Sequence, residues 1–192
     1  MPKNINYFSR VKKDFETYAA KRRIVVKNAN EALGLSKRAI FALHRDNYNE
    51  GEANIKRAEK IFNYLEKVSK GNPKLRYEGA WRSALEEYAE ARLFAFYIKN
   101  KRVADITNRQ IDADIYIGGL CDFTGELVRL AVRRATEKNY KEVTEIKKII
   151  EGVMHNLIQL DLTGYLRTKF DQSKNNMRKI EEITYELSLR SK

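Results

Sequence analysis

The sequence has few residues that break helices or form cross-links. Its 192 residues include two prolines, nine glycines and a single cysteine, Cys121. One cysteine excludes a disulfide framework within the chain, and the shortage of proline and glycine lets long helices run without interruption. No apolar run is long enough to span a bilayer or to form the hydrophobic region of a signal peptide. We therefore expect a soluble, cytoplasmic protein with no membrane partner.

Histidine is also scarce, because His44 and His155 are the only two. Zinc sites and the di-iron sites of helical bundles use histidine or cysteine at fixed spacings, and those spacings are absent here. We interpret His44 as a packing or hydrogen-bonding residue and His155 as incidental.

Positive charge is abundant. The chain has 38 Lys and Arg residues against 26 Asp and Glu residues, a net charge of +12, and a pI near 9.7. This balance favours a polyanionic partner such as nucleic acid over an anionic membrane surface. With 43% hydrophobic residues, the chain can bury a core, and we expect one domain over residues 1–192.

Apolar residues recur with a period near 3.6 almost throughout, which predicts an all-α fold. Between the helices a connection runs over 101–110, in which Asp105 or Thr107 could cap a short helical turn. The predicted helices cover about Asn6–Asn47, Glu52–Lys70, Arg76–Asn100, Asp114–Ala135, Tyr140–Leu160 and Tyr165–Arg190.

The helix over Asp114–Ala135 carries two acids in apolar surroundings. Asp122 and Glu126 are four residues apart and therefore share a face. Gly118 lies one turn earlier on the same face, and its missing side chain suggests an opening through which a metal ion or phosphate enters. The structural alternative is an internal ion-pair ladder, since Arg129 and Arg133 continue this stripe.

A second pair of acids, Glu87 and Glu90, lies on the helix over Arg76–Asn100, with Glu86 a weaker candidate. Buried carboxylates repel one another unless a cation neutralises them. If the two pairs face each other, oxygen-only ligation would suit Mg²⁺, with Mn²⁺ as a possible substitute. In a basic protein, such a site indicates phosphodiester chemistry, in which metal ions activate water and Lys and Arg hold the strand.

Four segments resemble the translin family, and specifically its branch of translin-associated factor X, called TRAX. They read LSKRAIFALHR at 35–45, LEEYAEA at 85–91, DFTGELVRL at 122–130 and KIEEITYELSLR at 179–190. The resemblance implies a seven-helix, all-α subunit that assembles into a hollow octamer and binds single-stranded RNA or DNA inside. It also implies that Glu87, Glu90, Asp122 and Glu126 form a Mg²⁺-dependent endoribonuclease site.

The chain departs from known relatives in two respects. Arg76, Trp81 and Arg82 resemble a segment that translin uses for nucleic acid, but its histidines are replaced here by Glu78 and Ala80. The terminal extensions of animal TRAX are also missing, which suggests a compact prokaryotic or archaeal member that builds a homo-octamer.

Three hypotheses follow. The first is a Mg²⁺-dependent endoribonuclease that cleaves single-stranded RNA within a homo-oligomeric cage. The second is a non-catalytic single-stranded nucleic-acid-binding protein, in which the acids form a structural network, and the third is an assembly scaffold. The candidate phosphate contacts are Lys37, Arg38, Arg45, Arg82, Arg129 and Arg133.

Overall fold

A computed structural model describes residues 4–103, 106, 109 and 111–190. Within them the chain forms six α-helices and one 3₁₀ helix, with no strand. The α-helices are α1 Asn4–His44, α2 Tyr48–Ser69, α3 Gly79–Asn100, α4 Ala113–Thr136, α5 Tyr140–Leu157 and α6 Gly164–Arg190, and the 3₁₀ helix is Pro73–Tyr77. The prediction of an all-α fold is confirmed, and the implied count of seven helices is met when the 3₁₀ helix is included.

Two helical hairpins close with the same kind of turn. Asp46 and Lys138 adopt positive φ angles of 58° and 60°, and each precedes an asparagine that caps the next helix. The Asn47 side chain accepts a hydrogen bond from the backbone N–H of Glu50, at 3.3 Å, and donates one to its carboxylate. Asn139 caps α5 through Glu142 in the same way. These reciprocal caps resemble a capping box.

The caps and the 3₁₀ helix explain where the predicted helix ends were wrong. Because Asn47 is the cap of α2, α1 ends at His44 and α2 begins at Tyr48, earlier than predicted. The 3₁₀ helix Pro73–Tyr77 delays α3 to Gly79. The proposed caps Asp105 and Thr107 lie outside the described residues.

The helices pack around a continuous apolar core. Helix α1 lies along α2 and α3, while α4 contacts α3, α5 and α6. Trp81 is fully buried, so its indole belongs to the core and is removed from the surface. No helix in the described ranges is both long and apolar enough to cross a membrane.

Helices α3 and α4 touch backbone to backbone at Gly119. A Cβ atom placed there would lie 2.8 Å from the Cβ of Ala89 and 2.9 Å from the carbonyl oxygen of Glu86. At neighbouring Gly118, a Cβ would instead meet the side chain of Glu86, with its Cδ at 2.7 Å. The absence of a side chain at Gly119 therefore sets the spacing of the two acid-bearing helices.

We predict that Gly119→Ala lowers the free energy of unfolding by about 1–3 kcal/mol, because backbone atoms of α3 must move. The measurement is urea unfolding. Gly152→Ala is the matched control, since nothing lies within 4 Å of that position and alanine should stabilise α5 by up to about 1 kcal/mol. Equal effects of the two substitutions would contradict the proposed close contact.

Candidate metal centre

Four acidic residues lie on the neighbouring helices α3 and α4. Glu87 and Glu90 come from α3, and Asp122 and Glu126 come from α4; we call these four residues the acid cluster. Glu90 is the most deeply placed, with 7% of its surface exposed. Each acid of the other helix contributes to the electrostatic field at Glu90. The structure thus brings the two predicted pairs of acids into one region.

Burial and repulsion from neighbouring acids favour the neutral forms of Glu87, Glu90 and Asp122. Burial, and then the negative charges of the other three acids, raise the pKa of Glu90 to about 9. Burial also raises the pKa of Glu87, partly offset by Lys37. It raises the pKa of Asp122 too, against the lowering effect of Lys169. A carboxyl group that is buried without a compensating charge is expected to behave in this way.

Three of the four acids face a basic side chain. Glu87 lies 3.8 Å from the amine of Lys37, and Asp122 forms an ion pair with Lys169. Glu126 lies 3.6 Å from Arg129 and also contacts Nε2 of His44. Within the part of the chain that the structure describes, no hydrogen bond or ion pair reaches the carboxylate of Glu90. Glu90 is therefore the member of the acid cluster whose charge is least compensated.

The donor chemistry of the acid cluster fits a hard divalent cation. All four members offer oxygen ligands, and an isolated buried carboxylate such as Glu90 is stabilised by a nearby positive charge. Among the described residues, however, no three His, Cys, Asp or Glu side chains are gathered as a ligand group. The reason is visible in the ion pairs, since three acids are turned towards separate cations. The acid cluster is a candidate metal centre because α3 and α4 place its four residues on adjoining helices. The side chains themselves are not oriented as a set of ligands.

The predicted opening at Gly118 is filled. The side chain of Glu86 lies against Gly118, and its carboxylate accepts a 2.6 Å hydrogen bond from the hydroxyl of Tyr165. Lys169 lies 3.0 Å from the same oxygen. The interpretation of Gly118 as an entry point was therefore wrong for this conformation. Glu86 takes the space that the sequence alone seemed to leave empty.

Lys169 and Tyr165 are the site residues that the sequence analysis missed. Both belong to α6, and Lys169 bridges Glu86 of α3 and Asp122 of α4. Their spacing of four residues places them on one helix face. That spacing was the available signal, but it does not reveal which helix the face contacts.

His44 combines the two roles expected of it. Its ring packs on Phe94 with a centroid separation of 4.6 Å, and its Nε2 contacts a carboxylate oxygen of Glu126. His44 thereby fixes Glu126 from the end of α1. His155 is exposed and contacts Gln159, so no role in the centre is visible for it.

The candidate phosphate contacts divide into two groups. Lys37 and Arg38 are exposed on α1, and Arg45 is exposed directly after its end; we call these three residues the α1 basic face. Arg45 also stacks on the ring of Phe41 at 5.3 Å. Together, Arg38, Phe41 and Arg45 line a surface cavity of 330 Å³. Because Lys37 approaches Glu87, the α1 basic face begins beside the acid cluster.

The remaining candidates are engaged elsewhere. Arg82 forms ion pairs with Asp112 and Asp114. Arg133 donates a hydrogen bond to the carbonyl of His44 and pairs with Asp46, so it secures the end of α1. The ion-pair ladder is therefore present at Arg129 and absent at Arg133 in this conformation.

The raised pKa of Glu90 predicts a specific dependence of stability on pH. A carboxyl group whose pKa rises on folding contributes stability that is complete below its unfolded pKa of about 4.3. That contribution is lost as pH rises towards the folded value of about 9. Glu90→Gln should therefore become more stable than the wild type as pH increases, with a slope of at most about 1.4 kcal/mol per pH unit.

The measurement is urea unfolding in EDTA between pH 5 and pH 9. Glu145→Gln removes an exposed acid from α5 and is the control, for which we expect no comparable slope. Parallel stability curves for Glu90→Gln and the wild type would show that Glu90 is not held neutral by folding.

Comparison with known proteins agrees with the fold and the quoted motifs. The Translin family model matches residues 20–191. A Translin-associated protein X homolog from Schizosaccharomyces pombe is 25% identical over 189 residues, which covers 88% of this chain and 82% of that protein. Translin from Gallus gallus is 28% identical over 130 residues, covering 60% and 57% of the two chains.

Solved structures share the same architecture. Apo-NeC3PO superposes with a TM-score of 0.84 at 22% identity, covering 96% of this chain and 97% of that one. AfC3PO in a complex with duplex RNA superposes with a TM-score of 0.88 at 18% identity, again covering 96% and 97%. At these identities the superpositions show the fold, and the sequence match shows the relationship. The chain belongs to the translin family.

Proposed function

We propose that this protein is a metal-dependent endoribonuclease that cleaves single-stranded RNA at the acid cluster. The observation that carries the proposal is the placement of four acidic residues on two packed helices in a chain of net charge +12. One of them, Glu90, is buried and has no hydrogen-bond or ion-pair partner among the described residues. Glu87, Glu90, Asp122 and Glu126 would hold Mg²⁺, or Mn²⁺ in its place. When bound, the ion supplies positive charge that activates water and neutralises the departing oxygen.

The other residues of the site have separate tasks in this proposal. His44 orients Glu126 by contact with its carboxylate. The α1 basic face holds the phosphates of the strand beside the acid cluster, and the ring of Phe41 offers a surface on which a base can stack. Tight packing around Glu90 limits the access of bulk water and strengthens electrostatic interactions there.

A homo-oligomeric cage is part of the proposal. Helix α1 extends beyond the core, and its exposed aromatic side chains include Tyr7, Phe8 and Phe15, with more than 60% of each surface accessible. Exposed apolar side chains in such numbers are typical of association surfaces. The octameric state implied by the family resemblance stays a prediction.

A non-catalytic nucleic-acid-binding protein is the second candidate. Three observations favour it. Three of the four acids are paired with cations, and no ready ligand group is present among the described residues. AfC3PO, of similar fold, is known in a complex with duplex RNA. In this case the ion pairs would be a structural network, and the basic surface would bind RNA without cleaving it.

Cleavage of labelled RNA separates the two functions. We expect the wild-type protein to cut single-stranded RNA in Mg²⁺ and not in EDTA. Glu90→Gln and Glu126→Ala should each slow cleavage by about 100-fold or more, since even outer partners of metal ligands contribute about 10–100-fold. Glu145→Gln on the α5 surface is the matched control and should cleave normally.

Cleavage that persists in EDTA, or in both site variants, would contradict the metal-dependent mechanism. Binding of single-stranded or duplex RNA without any cleavage in Mg²⁺ would favour the second candidate.

The α1 basic face predicts a salt-dependent contribution to RNA binding. Lys37→Ala, assayed in EDTA to prevent cleavage, should weaken binding and reduce the dependence of log K on log salt by about 0.7, the value for one phosphate contact with a single strand. Lys148→Ala on α5 is a close control, because both lysine side chains are 62% exposed. An equal loss in the two variants would show that the α1 face holds no phosphate.

A further inference from the structure

Helix α6 presents a polar seam to the acid-bearing helices. Ser173 donates a 3.3 Å hydrogen bond to the carbonyl of Cys121, and Asn176 donates a 2.9 Å hydrogen bond to the hydroxyl of Thr124. Tyr165 and Lys169 continue this line towards Glu86 and Asp122. These hydrogen bonds fix α6 on α4 in a register that places the amine of Lys169 beside Asp122.

That ammonium group contacts two carboxylates. The amine of Lys169 forms an ion pair with Asp122 and lies 3.0 Å from Glu86. The side chains of Lys169 and Glu86 are only 15% and 14% exposed, so solvent screens these contacts weakly. Burial lowers the pKa of Lys169, but its hydrogen bonds with Asp122, Tyr165 and Glu86 outweigh burial and raise that pKa above its usual value, which keeps the amine charged.

Glu86 offers the amine a fixed second partner. Its carboxylate is held by the hydroxyl of Tyr165 on one side, and its side chain rests against Gly118 on the other. Lys169 can therefore release Asp122 and still keep a carboxylate at hydrogen-bonding distance. Such an exchange avoids an unpaired buried ammonium group, which would be costly.

We propose that Lys169 is the resident cation at Asp122: it neutralises this acid in the metal-free protein, and a divalent cation displaces it onto Glu86. Lys169 is thus a positioning residue that competes with the metal ion for Asp122. This inference rests on the proposed metal-dependent function. It explains why the acids stand together without forming a ready group of ligands.

Manganese binding to the full-length protein tests the competition. Titration of Mn²⁺, followed by the electron paramagnetic resonance of the free ion, gives the dissociation constant without any cleavage assay. Lys169→Met should lower that constant by about tenfold, or 1.4 kcal/mol, because the competing charge is gone. Lys174→Met, which removes another lysine of α6 that pairs with Asp171, should leave it nearly unchanged.

An unchanged or higher dissociation constant in Lys169→Met, with normal Mn²⁺ binding by the wild type, would overturn the competition alone. Failure of the wild type to bind Mn²⁺ would overturn the metal-dependent function together with this inference. If Lys169→Met does not fold, a Mn²⁺-bound crystal structure of the wild type decides. The amine should then lie within hydrogen-bonding distance of Glu86 and away from Asp122, and an intact pair with Asp122 would contradict the proposal.

Discussion

The contact of α3 with α4 at Gly119 is the constraint on which the candidate centre depends. At this contact a Cβ on Gly119 would lie 3.1 Å from the backbone nitrogen of Glu90, and Glu90 is buried there. The free energy of placing carboxylates there must be recovered by packing elsewhere, and the fully buried aromatic core around Trp81, Tyr88 and Phe94 supplies that packing. The packed helices thus hold acidic groups near one another, although repulsion between their negative charges favours moving them apart.

Positive charge near these acids comes from α4 itself, through Arg129, and also from helices that carry no acid of the cluster. Helix α1 contributes the charge of Lys37, and α6 contributes that of Lys169. His44, at the end of α1, contacts the carboxylate of Glu126. Helices α1 and α6, which carry no acid of the cluster, are therefore part of the centre. Metal binding would exchange these ion pairs for coordination, so selectivity for a divalent cation depends on charge as well as on ligand geometry.

Local spacing was enough to find the helices and to place each pair of acids on one helix. Asp122 and Glu126 share a face at any orientation of α4, and their apolar neighbours already indicated burial. Which side chains would meet them was a different question, because it depends on how separate helices rotate and dock. The partner of Asp122 is 47 residues away in the sequence.

The same limit explains the errors. Arg133 has the spacing of a ladder partner for Glu126, yet the carbonyl at the end of α1 and Asp46 lie closer to it in the fold. Gly118 lacks a side chain, but a neighbouring helix fills the space. Sequence spacing describes one helix surface, and tertiary packing decides what covers it.

The position of Lys169 late in the chain has a consequence for biosynthesis. Ribosomes add about 5–20 residues per second, so the 47 residues between Asp122 and Lys169 take roughly 2–9 s to make at that rate. Throughout that interval the nascent chain carries Asp122 without its lysine partner. All four acids of the cluster are therefore synthesised before Lys169. The ion pair of Lys169 with Asp122 can form only after α6 has been made and has docked on α4.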